Sequence, residues 1–533
     1  MMTTTVPSTT SPSATAREWI GLAVLVLPVI LISVDVTVLY LALPFISADL
    51  APTGSELLWI VDIYGFVLAG LLITMGNVGD RIGRRRLLLI GAATFGAASV
   101  IAAFATSPTM LIAARALMGV GGATLMPSTL SLIRNLFVND RQRTVAIAVW
   151  TSGLSAGIAI GPLLGGWLLE RFAWGSVFLI NVPVMLVLLV SAPLLLPEFR
   201  DPRAARIDLP SVVLSMGAVL PVIFGLKRFA ESGPVPDAVV AVALGVILGI
   251  AFVRRQRRVA RPLVDLELFR SRRFSTAVGA NVVTMFALVG ASLFTAQYLQ
   301  LVLGMRPLEA GLWSLPAAAA VFIGATLAAI ASPRLGPSIV VAGGMLVGAA
   351  GFAILSTVSP IDGLVPVIVG STVMAAGVSM VLTLASDLVL LTAPPERAGA
   401  ASGLSETASE FGGALGIAVL GSIGVAIYRA ATWEGLVGVP PNAIATARET
   451  LGAALAVAAQ LPADAGAALT VAARAAFTSG LQMAAVSGAA ILVASAVVVA
   501  IVLRGVRPAA QQEDAASPDQ SRRILPARPA RSD

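Results

Sequence analysis

Asp35 stands in the apolar run Leu31-Ile-Ser-Val-Asp35-Val-Thr37-Val-Leu-Tyr40, nine residues before Pro44. At about 1.5 Å per residue this places the carboxyl near the middle of a membrane-crossing helix. Desolvation there disfavours the charged form, which suits Asp35 to carrying a proton. Far along the chain, Glu406 and Glu410 are four residues apart. A helix puts both on one face, where two acids in apolar surroundings titrate as a coupled pair. The bland alternative is a polar pair satisfied by the neighbouring Thr and Ser. Arg115 interrupts another apolar run. A guanidinium in hydrocarbon costs a few kcal/mol or more unless it meets water or a partner, so Arg115 marks a pathway or snorkels to a nearby surface. Asp387 precedes the helix-ending Pro394-Pro395 by less than two turns and could reach water or pair with Arg397.

The remaining composition removes most other chemistry. The chain has no His and no Cys. That excludes a Ser-His triad, a Cys nucleophile, disulfides and His- or Cys-ligated metals. Lys227 is the single lysine and lies in no GxxxxGK[ST] pattern, so the chain has no P-loop nucleotide site of its own. We therefore expect no catalytic residues, no cofactor and no metal.

The elements that must position these acids are hydrophobic throughout. Of 533 residues 57% are hydrophobic and only 12% charged. That balance points to lipid as the solvent. Stretches of about 20 apolar residues, enough to cross about 30 Å of hydrocarbon as helix, recur along the chain. Fourteen can be placed, at 19–43, 57–79, 87–106, 109–133, 145–169, 174–196, 207–226, 237–253, 273–295, 309–331, 337–356, 363–392, 401–427 and 480–503. The first lacks a small-residue cleavage site and reads as a retained helix. Arginine concentrates in alternate connections, with four over 80–86 and eight over 254–273, whereas Arg171, Lys227, Arg228, Arg306, Arg429, Arg448 and Arg474 fall in the others. The positive-inside rule then puts both termini in the cytoplasm. The net charge of +7 is thus a topology signal, with anionic lipid as a secondary contact, and nucleic acid is not an expected partner. Between the last two spans, alanine-rich Pro440 to Phe477 reads as two short helices joined at Pro462, a solvated cover outside the membrane.

The chain also repeats itself. Thr151-Ser-Gly-Leu-Ser-Ala-Gly157 returns as Ala401-Ser-Gly-Leu-Ser-Glu-Thr407, and Arg81-Ile-Gly83 returns as Arg334-Leu-Gly336, at nearly the same offset. Matching spans across that offset implies two six-helix halves, 17–200 and 259–507, separated by two extra helices at 201–258, with polar tails at 1–16 and 508–533. Secondary transporters are built from such repeats, with the substrate site near the midplane.

Several motifs carry a more specific resemblance. The loop Gly76-Asn-Val-Gly-Asp80-Arg81-Ile-Gly83-Arg84-Arg85-Arg86 resembles the cytoplasmic signature of the major facilitator superfamily. Here Gly76 would let helices approach closely, and Asp80 would accept from Arg84 or a neighbouring helix end and latch the gate. Arg115-Ala-Leu-Met-Gly119-Val-Gly-Gly-Ala resembles a second signature of that superfamily. Gly153, Gly157, Gly161-Pro162 and Gly165-Gly166 resemble the motif of its drug-exporting branch, a flat helix face with a kink. Asp35 through Pro44, together with Trp59-Ile-Val-Asp62-Ile-Tyr64, narrows the resemblance to fourteen-span drug/proton antiporters that export quaternary ammonium compounds. Gln297-Tyr298-Leu-Gln300, Gly304, Pro307 and Gly311 also match that branch and would shape the connection after the ninth span. Three departures stand out: Tyr40 replaces a common asparagine, Ser405 stands where some relatives have a further acid, and the tenth span has no acid between Ala310 and Ala331.

The resemblance implies an all-α integral membrane protein of the major facilitator fold, two six-helix bundles plus two additional helices, in a bacterial-type inner membrane. It implies efflux of lipophilic cations against protons without ATP, by a protein functional as a monomer. Asp35, Asp62, Glu406 and Glu410 would bind cation and proton, with Asp387 as a possible fifth acid. The alternative is a proton-coupled exporter of an endogenous neutral or anionic metabolite or lipid.

Overall fold

A computed structural model describes residues 14–200, 208–233, 235–259, 262–392, 398–433 and 436–503, and these contain no strand. Among the described residues fourteen helices are long and apolar enough to cross a membrane. Taken as spans 1 to 14 they are Ala16–Leu50, Gly54–Ile82, Arg84–Ala103, Pro108–Leu136, Asp140–Arg171, Ser176–Leu195, Leu209–Ala230, Pro236–Gln256, Arg272–Val302, Pro307–Leu335, Pro337–Leu355, Leu364–Val389, Gly403–Ala430 and Ala463–Val502. Their starts are written in polar residues. Thr53 and Glu56 exchange hydrogen bonds in a capping box before span 2 (2.9 and 3.2 Å), Ser107 accepts from Met110 N–H before span 4, and Asn139 accepts from Arg141 and Gln142 N–H before span 5. Each satisfies amide donors that the first helical turn leaves open.

The repeat read from the sequence is a repeat of packing. Span 1 lies on span 5 as span 9 lies on span 13, span 2 on span 4 as span 10 on span 12, and span 3 on span 6 as span 11 on span 14. Gly83 and Gly336 end spans 2 and 10 in the same way, with φ of +114° and +84°, a conformation that favours glycine. Across the halves, span 2 packs on span 13 and span 5 on span 10, as a pseudo-twofold relation requires. Spans 7 and 8 pack on each other, and span 7 touches both span 2 and span 13.

The halves do not touch evenly. Toward the face opposite the termini, a Cβ on Gly166 would lie 2.6 Å from Leu308 Cα, and one on Gly311 would lie 2.5 Å from the Pro162 carbonyl oxygen. Midway, Phe66 of span 2 meets Phe411 of span 13 edge-on at 6.2 Å, and a Cβ on Gly65 would lie 3.2 Å from Ala414 Cβ. Toward the terminal face Gly76 of span 2 and Gly403 of span 13 have no atom within 4 Å of a Cβ position, so each borders open space. The expected close approach at Gly76 is therefore absent; the tight glycine at this end is Gly83, whose Cβ would lie 2.4 Å from the Glu198 carboxylate.

Two further expectations change. The segment after Pro440 contains short helices Pro441–Ala447 and Leu451–Ala458, but Pro462 does not join them. It caps the 40-residue helix of span 14, which begins at Ala463 because proline fits the first turn of a helix and not its interior. Lys227, assigned by sequence to an outer connection, is 1% exposed inside span 7. The expected tails lie largely outside the described residues, as does Arg397.

Candidate functional site

The four predicted acids divide into two chemically different pairs. Asp35 is 3% exposed in span 1, where its Oδ2 accepts from Arg115 Nη1 at 2.6 Å and its Oδ1 from Asn181 Nδ2 at 3.1 Å. Arg115 does not snorkel. Its Nε donates to the Ile60 carbonyl at 3.2 Å, and its guanidinium lies 4.7 Å from the centre of the Tyr64 ring. Asn181 also donates to Ser99 Oγ at 3.1 Å, so spans 1, 2, 3, 4 and 6 share one buried network. Asp62 in span 2 is likewise neutralised, with Lys227 Nζ 2.9 Å from Oδ1 and 2.7 Å from Oδ2. These pairs satisfy the rule that a charge taken from water must find an opposite charge. They also remove Asp35 and Asp62 from the set of free acids expected from sequence.

Glu406 and Glu410 are different. They lie one helical turn apart on span 13, only partly buried, and no cation lies within ion-pair distance of either among the described residues. The neighbouring hydroxyls do not satisfy them. Thr407 donates to the Gly403 carbonyl and Ser409 to the Ser405 carbonyl, while Asn281 of span 9 donates to Ser405 and Ser409. Glu410 is adjacent to Phe411, the residue that closes on Phe66, and both acids lie along span 13 between that contact and Gly403, which borders open space. Tyr40 lies within electrostatic reach of Arg115, Glu410 and Asp62, and Tyr64 within reach of Asp35, Glu410 and Arg115. The acids of both halves thus converge around two tyrosines. Tyr64 Oη has no hydrogen-bond partner. Asp387 on span 12 is exposed, with no ion pair among the described residues.

The glycine run of span 5 has one stated use: it carries span 1. Cβ atoms on Gly153, Gly157, Gly161 and Gly165 would lie 2.8 Å from Val26, 2.5 Å from the Ile30 carbonyl oxygen, 1.9 Å from Thr37 Oγ1 and 2.7 Å from Val38. Gly166 and Pro162 then meet the start of span 10. One face of span 5 therefore holds the helix bearing Asp35, and its end closes the halves together.

At the terminal end of span 2, Arg84 Nε donates to Asp80 Oδ1 at 2.8 Å, one turn away. Glu198, beyond span 6, accepts from the backbone N–H of Arg85 and Arg86 at 3.0 and 3.2 Å. This carboxylate caps the positive end of span 3. Arg81 is exposed. The gate motif is thereby tied within its own half, to the end of span 6.

Residues 25–417 match the family described as the Major Facilitator Superfamily. The chain belongs to that superfamily. Among its relatives is the multidrug efflux pump LfrA of Mycolicibacterium smegmatis, 44% identical over 94% of this chain and 100% of LfrA. Another is the methyl viologen resistance protein SmvA of Salmonella typhimurium, 37% identical over 84% of this chain and 90% of SmvA. A crystal structure of a bacterial homologue of the lysosomal transporter Spinster, inward-facing and unoccupied, superimposes with a TM-score of 0.61 at 18% identity, over 93% of this chain and 98% of that one. That likeness concerns the fold. As a member of the superfamily the chain is a many-span membrane transporter and not an enzyme, and its relatives are efflux and resistance pumps. In this fold the residues that sequence reasoning missed are mostly partners of acids or polar groups, Lys227, Asn181, Ser99 and Asn281, together with Glu198, whose carboxylate caps span 3. The only prior signal for Lys227 was its being the single lysine.

Proposed function

We propose that the protein exports lipophilic and quaternary ammonium cations in exchange for protons, and that Glu406 and Glu410 are the exchange site. One observation carries this reading: of the four acids Asp35, Asp62, Glu406 and Glu410, the last two have no ion-pair cation among the described residues, and they lie on span 13 between the Phe66–Phe411 contact and the open space at Gly403. A carboxylate partly withdrawn from water is stabilised by a positive partner or by a proton. A cargo cation and protons are the two ways to supply it here. Each lowers the affinity for the other by the same factor, which is sufficient for antiport when the halves rock around the site. The positive-inside arginine pattern supports cytoplasmic termini, so the open space at Gly403 would face the cytoplasm and the Gly166–Leu308 contact would seal the outer side. Asp35 and Asp62 then act as fixed charges that position Tyr64 and span 2.

The test is ethidium or tetraphenylphosphonium transport in proteoliposomes with an imposed pH gradient, inside the protein's own orientation. Wild type should move the cation against its gradient, and Glu410→Gln should bind it at least tenfold more weakly and lose the pH dependence of binding. Cation transport by Glu406→Gln/Glu410→Gln at the wild-type rate would end this assignment.

A further inference from the structure

Asp62 and Trp59 are three residues apart on span 2 and so share one helix face. Between them sits the Lys227 ammonium, 2.7 and 2.9 Å from the two carboxylate oxygens and 3.8 Å from the centre of the indole ring. A carboxylate beside an aromatic face is the arrangement that recognises an organic ammonium ion, through charge and through the ring quadrupole together. The ammonium reaches this place from span 7, one of the two helices that have no counterpart in the repeat of the halves. By contrast, Arg115 belongs to the first bundle and is also bonded to the Ile60 carbonyl within it.

We propose that Asp62 and Trp59 form a second cation subsite whose built-in occupant is Lys227, and that this tethered ammonium restricts the cargo to a single charge. The inference rests on the reading of Glu406 and Glu410 as the exchange site. Asp62 is one turn before Phe66, which meets Phe411 at 6.2 Å, and a Cβ on Gly65 would lie 4.0 Å from the Glu410 carbonyl oxygen, so the subsite borders the exchange site. With Lys227 in place, a long dication that neutralises the glutamates meets a second ammonium at Asp62, and its second charge is left unpaired. With the lysine side chain removed, the same dication can bridge Glu410 and Asp62.

The experiment measures binding of ethidium, a monocation, and decamethonium, a bis-quaternary alkane, to the purified full chain in lipid nanodiscs. Wild type should bind ethidium and bind decamethonium at least tenfold more weakly. Lys227→Ala should strengthen decamethonium binding at least tenfold while ethidium changes less than threefold, Lys227→Arg should keep the wild-type selectivity, and Lys227→Ala/Asp62→Asn should lose the gain. Because Lys227→Ala leaves a buried carboxylate without a partner, its yield can fall. Decamethonium added during solubilisation should then restore folded protein and raise its melting temperature more than it raises that of wild type. Unchanged decamethonium affinity in folded Lys227→Ala, or no rescue of an unstable one, overturns the proposal. Wild type that fails to bind ethidium overturns the glutamate reading instead, and the decamethonium gain in Lys227→Ala, with its loss in the double variant, still decides the role of Lys227.

Discussion

At the residue scale, an acid in a membrane helix takes its role from its partner. Asp35 and Glu410 both read in sequence as carboxylates in apolar runs. In the folded chain Asp35 belongs to an ion pair in which both side chains are 1% exposed, and Glu410 does not belong to one. Asp35→Asn therefore strands the Arg115 guanidinium, and breaking one side of a buried pair costs about 3–5 kcal/mol. We expect a clear fall in melting temperature for Asp35→Asn, and partial recovery in Asp35→Asn/Arg115→Gln, which removes both charges. An Asp35→Asn protein as heat-stable as wild type would show that the pair contributes little. Glu410→Gln leaves no such orphan and should keep the wild-type melting temperature while losing exchange.

At the element scale, contact between helices is decided by glycines whose neighbours cannot yield. A Cβ on Gly157 would press 2.5 Å from the Ile30 carbonyl oxygen and 2.6 Å from Ser33 Cβ, so span 1 would have to move away from span 5. Overpacking of this kind costs about 1–3 kcal/mol. Gly76 has no such neighbour, and alanine in a helix is better than glycine by about 0.5–1 kcal/mol. Thermal melts of Gly157→Ala and Gly76→Ala should consequently shift in opposite directions, and equal shifts would contradict the packing described. The hairpin of spans 7 and 8 is clamped at its base, where Arg255 Nη2 donates to Asp208 at 2.6 Å. The hydrogen bond from Arg255 holds the Asp208 carboxyl below its usual range. A carboxyl lowered in the folded state contributes stability above its unfolded value and loses it as pH falls through the folded one. The stability gap between wild type and Asp208→Ala should thus be constant near neutrality and shrink below about pH 4. A gap that widens in acid would reverse the sign of this linkage.

At the scale of the whole molecule, glycines join the two halves away from the terminal face at Gly166 and Gly311, whereas Gly76 and Gly403 near that face border open space. The natural chain has no cysteine, which makes a cross-link a clean reporter of that asymmetry. Because a Gly54 Cβ would lie 2.9 Å from Val425 Cγ1 at the face opposite the termini, Gly54→Cys/Val425→Cys should form a disulfide under mild oxidation and stop transport, and reduction should restore it. A Gly76→Cys/Gly403→Cys pair should not cross-link in the same resting state. Ready cross-linking of the second pair without the first would mean that the resting protein opens the other way. Span 7 contacts both halves, so substitutions at Lys227 act on selectivity from a helix outside the repeat.

The sequence by itself determined the class of the molecule, the number of spans and the identities of the acids, because each depends on composition within one stretch of chain. Hydrocarbon length sets the spans, and two repeated segments set the halves. The helix starts at Thr53, Ser107 and Asn139, which the apolar stretches alone did not mark, also rest on local contacts between residues three or fewer apart. Pro462 was misplaced because a proline that joins two helices and one that begins a helix look the same in sequence, and the length of the helix beyond it decides. What only the tertiary structure decided is which charges meet. Asp35 and Arg115 are 80 residues apart and Asp62 and Lys227 are 165 apart, so no local pattern couples them. Whether a buried acid is neutralised or left to accept a proton or a cargo follows from which helix faces it across the bundle.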